Sequence, residues 1–161
     1  VESGRAHLGL TGATVRGARV GFDEIGVDEL VLIASPDSRL ATRSGVRLSS
    51  LGDEGWIMRE SGSGTRLVTE RLLADHGLEP EELRVVVELG IGEAIVSAVE
   101  GGLGIAILSR HVAAKALELG TVVQVDVVGL PARRPFYLVM PKGTPTRAAL
   151  AFREHLVTSL A

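Results

Sequence analysis

Five consecutive residues, Ser61-Gly62-Ser63-Gly64-Thr65, combine three hydroxyls with two glycines. They stand between a short apolar run and residues at helical spacing. Such a turn suits a carboxylate or small oxyanion, because the opening N–H groups of a helix lack acceptors of their own. Gly62 and Gly64 let the backbone turn tightly and approach a ligand closely. Ser61 or Ser63 can cap the helix. Taken alone, the turn reads first as a plain capped strand–helix junction. Catalysis fits it poorly. Ser61 stands where a nucleophile elbow needs its first glycine, and Ser63 has no sequence-evident His or Asp partners. Gly90-x-Gly92 opens like a dinucleotide turn, but Ile95 occupies the third glycine position. His7, His76, His111 and His155 lack metal-ligand spacing, and there is no cysteine to supply a thiolate or a disulfide. The residues therefore point to a binder rather than an enzyme, with no cofactor and no metal.

The turn needs elements to hold it. Residues 56–73, WIMRESGSGTRLVTERLL, read as strand, glycine-rich turn and helix, with Leu67, Val68, Leu72 and Leu73 at helical spacing. Gly77 ends that helix. Upstream, residues 1–4 read as the tail of a helix. Residues 6–10 read as a short buried strand followed by Thr11-Gly12, and residues 19–26 are ambiguous. ELVLIAS at 29–35 is an apolar strand ending at Pro36, and an unbroken apolar run is typical of a strand covered on both faces. Residues 36–55 form a polar connection with a turn of helix near 48–51. Downstream come a buried strand at 85–89, a second glycine turn at 90–92 and a helix at 93–100. A strand at 105–108 follows, and then a helix at 110–119 capped by Ser109. Further strands are expected at 122–128 and 136–140. A last helix starts at Thr144-Pro145 and carries Ala149, Phe152, Leu156 and Leu160 on one face.

Strands alternating with helices argue for an α/β fold with mainly parallel sheets. Ligands in such sheets sit beyond the carboxyl ends of strands. If the strands are parallel, Thr11-Gly12, residues 61–65 and residues 90–92 share one rim. Around that rim Arg59 reads as an exposed charge. Arg66 reads equally as a ligand-orienting or a surface residue, and Trp56 as a core anchor. The chain is 45% hydrophobic and 23% charged, which makes it globular rather than disordered. Its net charge of -3 comes with no Lys/Arg block, so it lacks the footprint of a nucleic-acid binder. No apolar run is long enough for a transmembrane helix, so no membrane partner is expected. The absence of cysteine suits a cytoplasmic location.

Several stretches together resemble the effector-binding domain of a LysR-type transcriptional regulator. They are Val1-x-x-Gly4 with HLGL, DELVLIASPDSRLA at 28–41, WIMRESGSGTR at 56–66, EAIVSAVEGGLGIAILS at 93–109, and FYLVMPKG. The resemblance covers nearly the whole chain in order. It implies a two-lobed clamshell like the type-2 periplasmic binding proteins. Lobe I would hold residues 1–36 and 130–161, and lobe II residues 37–129. A small, anionic effector would sit between the lobes. Its contacts would be Thr11 and Ser35 from lobe I, with Ser61, Ser63, Gly64, Thr65, Gly90 and Gly92 from lobe II. DNA would be reached only through a winged helix-turn-helix domain outside this chain, in a homodimer or homotetramer. The alternative on the same fold is a solute-binding protein of a transport system. The chain departs from the family's pattern in several places. It has His7 where Asp is common and Ser38-Arg39 where His-Pro is usual. Gly90 leaves only a main-chain contact where some relatives carry a hydroxyl. The first strand, first helix and second strand of lobe I are absent as well, so the chain is expected to be a piece of a longer regulator with lobe I incomplete.

Overall fold

The computed structural model describes residues 1–14, 17 and 19–160, the side chain of residue 160 excepted. Its contacts divide into two units, Val1–Asp28 with Arg134–Ala161 and Glu29–Arg133. These divisions fall at 28/29 and 133/134, where the sequence reading has 36/37 and 129/130. The reason is the ELVLIAS segment. Leu30, Val31, Leu32 and Ile33 are fully buried, and all four lie in the core of the second unit.

In that second unit the strands are the C-terminal part of β2 (Val20–Ala34), β3 (Trp56–Arg59), β4 (Val85–Leu89), β5 (Ala106–Ser109) and β6 (Val123–Gln124). The helices are α1 (Gly64–Asp75), α2 (Gly92–Glu100) and α3 (Arg110–Leu119). Alternation along the strands divides the apolar residues into two clusters. One takes Leu30, Leu32 and Ala34 with Trp56, Met58, Ile105 and Ile107, and α1 adds Leu73. The other takes Val31, Ile33, Ile57, Ala106 and Leu108, covered by Ile95, Val96 and Val99 of α2 and Ala113 and Ala116 of α3. Period-two side chains with both faces covered account for the unbroken apolar runs. The stretch read as a polar connection, residues 36–55, adds Leu40, Val46, Leu48 and Leu51 to the first cluster. Its turn of helix is a 3-10 turn over Leu48–Ser50. Trp56 is fully buried, and its indole N–H donates to the Leu51 carbonyl at 2.9 Å.

The pairings are mixed, which corrects the expectation of mainly parallel sheets. β3 and β4 are parallel, and Trp56 meets Ile105 in a parallel bridge. β2 is antiparallel to both β5 and β6. A second correction concerns β4, which reads as buried but leaves Val85 and Val86 exposed. Among the described pairings it has β3 as its one partner strand. The segment read as a strand at 122–128 narrows to the short β6, with a single bridge at Val127.

The first unit holds β1 (Gly9–Thr11), the N-terminal part of β2, most of β7 (Ala132–Pro141) and α4 (Arg147–Leu160). β1 pairs antiparallel with β7, placing Thr11 opposite Tyr137. Phe22 and Tyr137 meet edge to face at 6.1 Å. Residues 1–4 form a turn closed by the Gly4 N–H on the Val1 carbonyl at 3.0 Å. Gly4 has φ +74°, a conformation that only glycine adopts freely. α4 starts later than its Thr144-Pro145 signal. The hydroxyl of Thr146 accepts from the Ala149 N–H at 3.2 Å and so caps the first turn. On α4, Ala149 is buried, Leu156 half-buried and Phe152 exposed, and the expected contribution of Leu160 lies outside the described residues.

Candidate functional site

β3, β4 and β5 run in one direction, and a helix follows each of them. The N-termini of α1, α2 and α3 therefore open along one edge of the second unit. Residues 60–65 and 90–92 lie side by side there, because β3 and β4 are neighbours. A Cβ on Gly90 would come within 3.9 Å of the Glu60 carboxyl carbon. This edge brings together six of the eight predicted site residues: Ser61, Ser63, Gly64, Thr65, Gly90 and Gly92.

The α1 turn is built as an open N-terminus. Gly62 has φ +86°, Ser63 is the N-cap residue, and its N–H donates to the Glu60 carbonyl at 3.1 Å. The Ser63 carbonyl accepts the first helical bond from Leu67 at 3.0 Å, yet its hydroxyl makes no capping hydrogen bond. Ser63 and Thr65 are both buried, whereas Ser61 is exposed. α2 has Ile91 at its N-cap and so has no side-chain cap either. Its first residue, Gly92, lies close against α3: a Cβ there would stand 2.8 Å from a methyl of Val112, which would have to shift. Two adjacent helix starts without side-chain caps, the first carrying the buried Ser63 and Thr65, can hold an anion through N–H and O–H donors. Sequence reasoning missed a third part of this edge, Ser109. Its hydroxyl accepts from the His111 N–H at 3.2 Å and so caps α3. The cap itself is legible in sequence, but its place on this edge depends on strand direction.

The charges near the edge are paired. Arg59 donates to the Glu60 carboxylate at 2.8 and 3.0 Å, and this hydrogen bonding holds the Glu60 carboxyl below its usual range. Arg66 bonds Glu70 at 2.7 Å, Glu88 at 2.6 Å and the Arg59 carbonyl at 3.0 Å. The two carboxylates push its affinity for its proton above the ordinary arginine value. Arg66 is thus a brace between α1 and β4. It also borders an open pocket of about 250 Å³ with Met58, Glu70 and Leu83, apart from the turn residues. The four histidines are all exposed. Among the described residues no three His, Asp or Glu side chains form a group that could hold a metal, and no helix is long and apolar enough to cross a membrane.

Two predicted residues do not belong to this edge of the second unit. The β2–β5 register puts Leu30 beside Ser109 and Ile33 beside Ala106. Ser35, just past the end of β2, therefore lies level with Gly104, at the opposite end of the strands from Glu60. Five residues of strand, at roughly 3.3 Å each, separate the two ends. The Ser35 hydroxyl instead accepts from the Asp37 N–H at 3.4 Å. Thr11 belongs to the first unit. Its hydroxyl closes its own turn, donating to the Ala13 carbonyl at 3.1 Å and accepting from the Ala13 N–H at 3.3 Å.

The chain matches the LysR substrate binding domain over residues 1–161. It is 36% identical over 162 residues to a RuBisCO operon transcriptional regulator of Allochromatium vinosum, covering 100% of this chain and 53% of that protein. It is 37% identical over 120 residues to the regulator CbbR of Rhodospirillum rubrum, covering 74% of this chain and 39% of that protein. The chain thus spans about half the length, or less, of these curated relatives. Among solved structures, the CcmR regulatory domain of Synechocystis PCC6803, in complex with 2-PG, superposes with a TM-score of 0.86 at 29% identity. The match covers 98% of this chain and 75% of that one. The effector-binding domain of QuiR superposes at 0.83 with 19% identity, over 98% and 73%, a likeness of fold. These neighbours have the type-2 periplasmic-binding-protein-like α/β fold. With a family match along its whole length and relatives above the identity at which descent is plain, this chain belongs to the LysR substrate-binding domain family.

Proposed function

We propose that this chain is the effector-sensing part of a LysR-type transcriptional regulator. In this reading a small anion is held at the edge formed by residues 61–65 and 90–92. The observation that carries the site is the pair of adjacent helix starts without side-chain caps, flanked by the buried hydroxyls of Ser63 and Thr65. The regulator role rests on the family and on the regulator names of the relatives reported above, which disfavour a transport protein. A small-molecule complex of the similar Synechocystis domain supports the ligand class. In this reading the domain senses rather than catalyses, as the family of regulators to which it belongs suggests. Thr11 is kept as a proposed effector contact within its own unit, and Ser35 is left out because of its register. Effector occupancy biases a conformational equilibrium. That bias reaches DNA through a winged helix-turn-helix domain outside this chain, in a cytoplasmic dimer or tetramer. Such coupling requires different effector affinities in the two conformations.

The test is calorimetric titration of 2-PG and of inorganic phosphate into the chain. Charged hydrogen bonds contribute about 1.5–3 kcal/mol each, so Ser63→Ala with Thr65→Ala lowers anion affinity about tenfold or more. The melting temperature stays close to that of the parent chain. A double variant that binds as tightly as the parent removes this edge as the site.

A further inference from the structure

Asp28 and Arg134 are buried, at 5% and 8% exposure, in a unit whose buried apolar residues are few. Nε and Nη2 of Arg134 donate to the same Asp28 carboxylate oxygen at 3.0 and 2.7 Å. The two residues sit on β2 and β7, which are neighbours in the sheet and carry the chain from one unit to the other at this point. The next residues along, Glu29 and Arg133, form a second, more exposed pair at 3.5 Å. The guanidinium of Arg134 also lies flat beneath Gly12. A Cβ at Gly12 would stand 2.6 Å from Cζ, 2.8 Å from Nη1 and 2.9 Å from Nε. A Cβ there forces the guanidinium to shift, and the two bonds to Asp28 that hold the buried fork make that shift costly.

We infer that Arg134 is the positioning residue of the Thr11-Gly12 turn, which sets the height and direction of Thr11 as an effector contact. The inference rests on the reading of Thr11 as such a contact. The chain of support is short. Asp28 fixes the fork of Arg134 by two donors, the fork is planar and so limits its own rotation, and the turn rests on its face. The Thr11 hydroxyl is already committed to Ala13, so the turn is closed on itself and moves as a block. Whatever shifts Arg134 shifts Thr11 with it.

A double-mutant cycle on the whole chain tests this, with 2-PG as the probe. Gly12→Ala drives a methyl into the guanidinium and weakens 2-PG binding about tenfold. Arg134→Lys keeps a cation beside Asp28 but removes the planar group under residue 12. In that background Gly12→Ala has little further effect, so the two changes are strongly non-additive. Purely additive losses, or a Gly12→Ala chain that binds 2-PG like the parent, overturn the inference. Hydrogen exchange gives a readout that needs no ligand. Arg134→Lys speeds exchange at the amides of residues 11–13 and leaves those of β3 unchanged. Equal protection at residues 11–13 in the two chains overturns the inference even if 2-PG proves not to be a ligand. Failure of 2-PG to bind the parent, with faster exchange at residues 11–13 in Arg134→Lys, counts against the effector reading and leaves the positioning role standing.

Discussion

The two units hold their candidate ligand contacts in different ways. In the unit of Glu29–Arg133, the turn residues cap a sheet buried on both faces, between two apolar clusters that together take most of the buried side chains. Among the described residues of the other unit the buried apolar ones are Val20, Leu138 and Ala149, and the buried charged ones are Asp28 and Arg134. Ser63 and Thr65 therefore ride on an apolar foundation. The Thr11 turn rests on charge, and an unpaired buried charge is far more costly than a trimmed methyl group. A contact held by packing can change its chemistry freely, whereas one held by an ion pair can change only together with that pair.

The contrast can be broken at its strong side first. Trp56→Ala empties the centre of the first apolar cluster and abandons the bond to Leu51, so chemical denaturation shows a loss of about 3–5 kcal/mol. A loss below about 1 kcal/mol means that the doubly covered sheet is not what stabilises this unit. A second test sharpens the comparison without mutation. Amides of Leu30, Val31, Leu32 and Ile33 in β2 exchange orders of magnitude more slowly than those of Leu10 and Thr11 in β1. Equal protection removes the distinction between the units. The smallest effect lies inside the apolar side itself. Thr69 of α1 is 2% exposed, and its hydroxyl has no hydrogen-bond partner among the described residues. Thr69→Val keeps the shape and removes the unpaired group, so stability holds or rises by about 1 kcal/mol. A clear loss shows that the hydroxyl has a role this geometry does not reveal.

What the sequence disclosed follows from the same contrast. ELVLIAS was legible because a strand covered on both faces has no polar alternation to obscure it. The helix starts at Gly64, Gly92 and Arg110 were legible because glycines and a serine cap announce them. The first half of β2, VGFDEIGVD, was ambiguous because most of its side chains are exposed or only half-buried. β4 misled in the opposite direction, since its three valines are apolar yet two of them face solvent. Leu40, Val46, Leu48 and Leu51 were hidden in a stretch whose average is polar, because an irregular segment has no period to expose its buried positions. Ser35 could not be placed at all without register. Its hydroxyl looks like its neighbours in the motif, and only the antiparallel course of β2 against β5 sends it to the far end. The Asp28–Arg134 pair joins residues 106 positions apart in the chain and has no local signature.

The shared direction of β3, β4 and β5 has an electrical consequence. Each helix start contributes roughly half an elementary charge of positive potential, set by peptide dipoles rather than by a protonated side chain. Aligned at one edge, the starts of α1, α2 and α3 form a positive field with no proton to lose. His111, the second residue of α3, also stands at this edge, so the proton-free share of the field is that of the helix starts alone. That share of the pull on an anion held there is the same on either side of neutrality, until the anion itself takes up a proton.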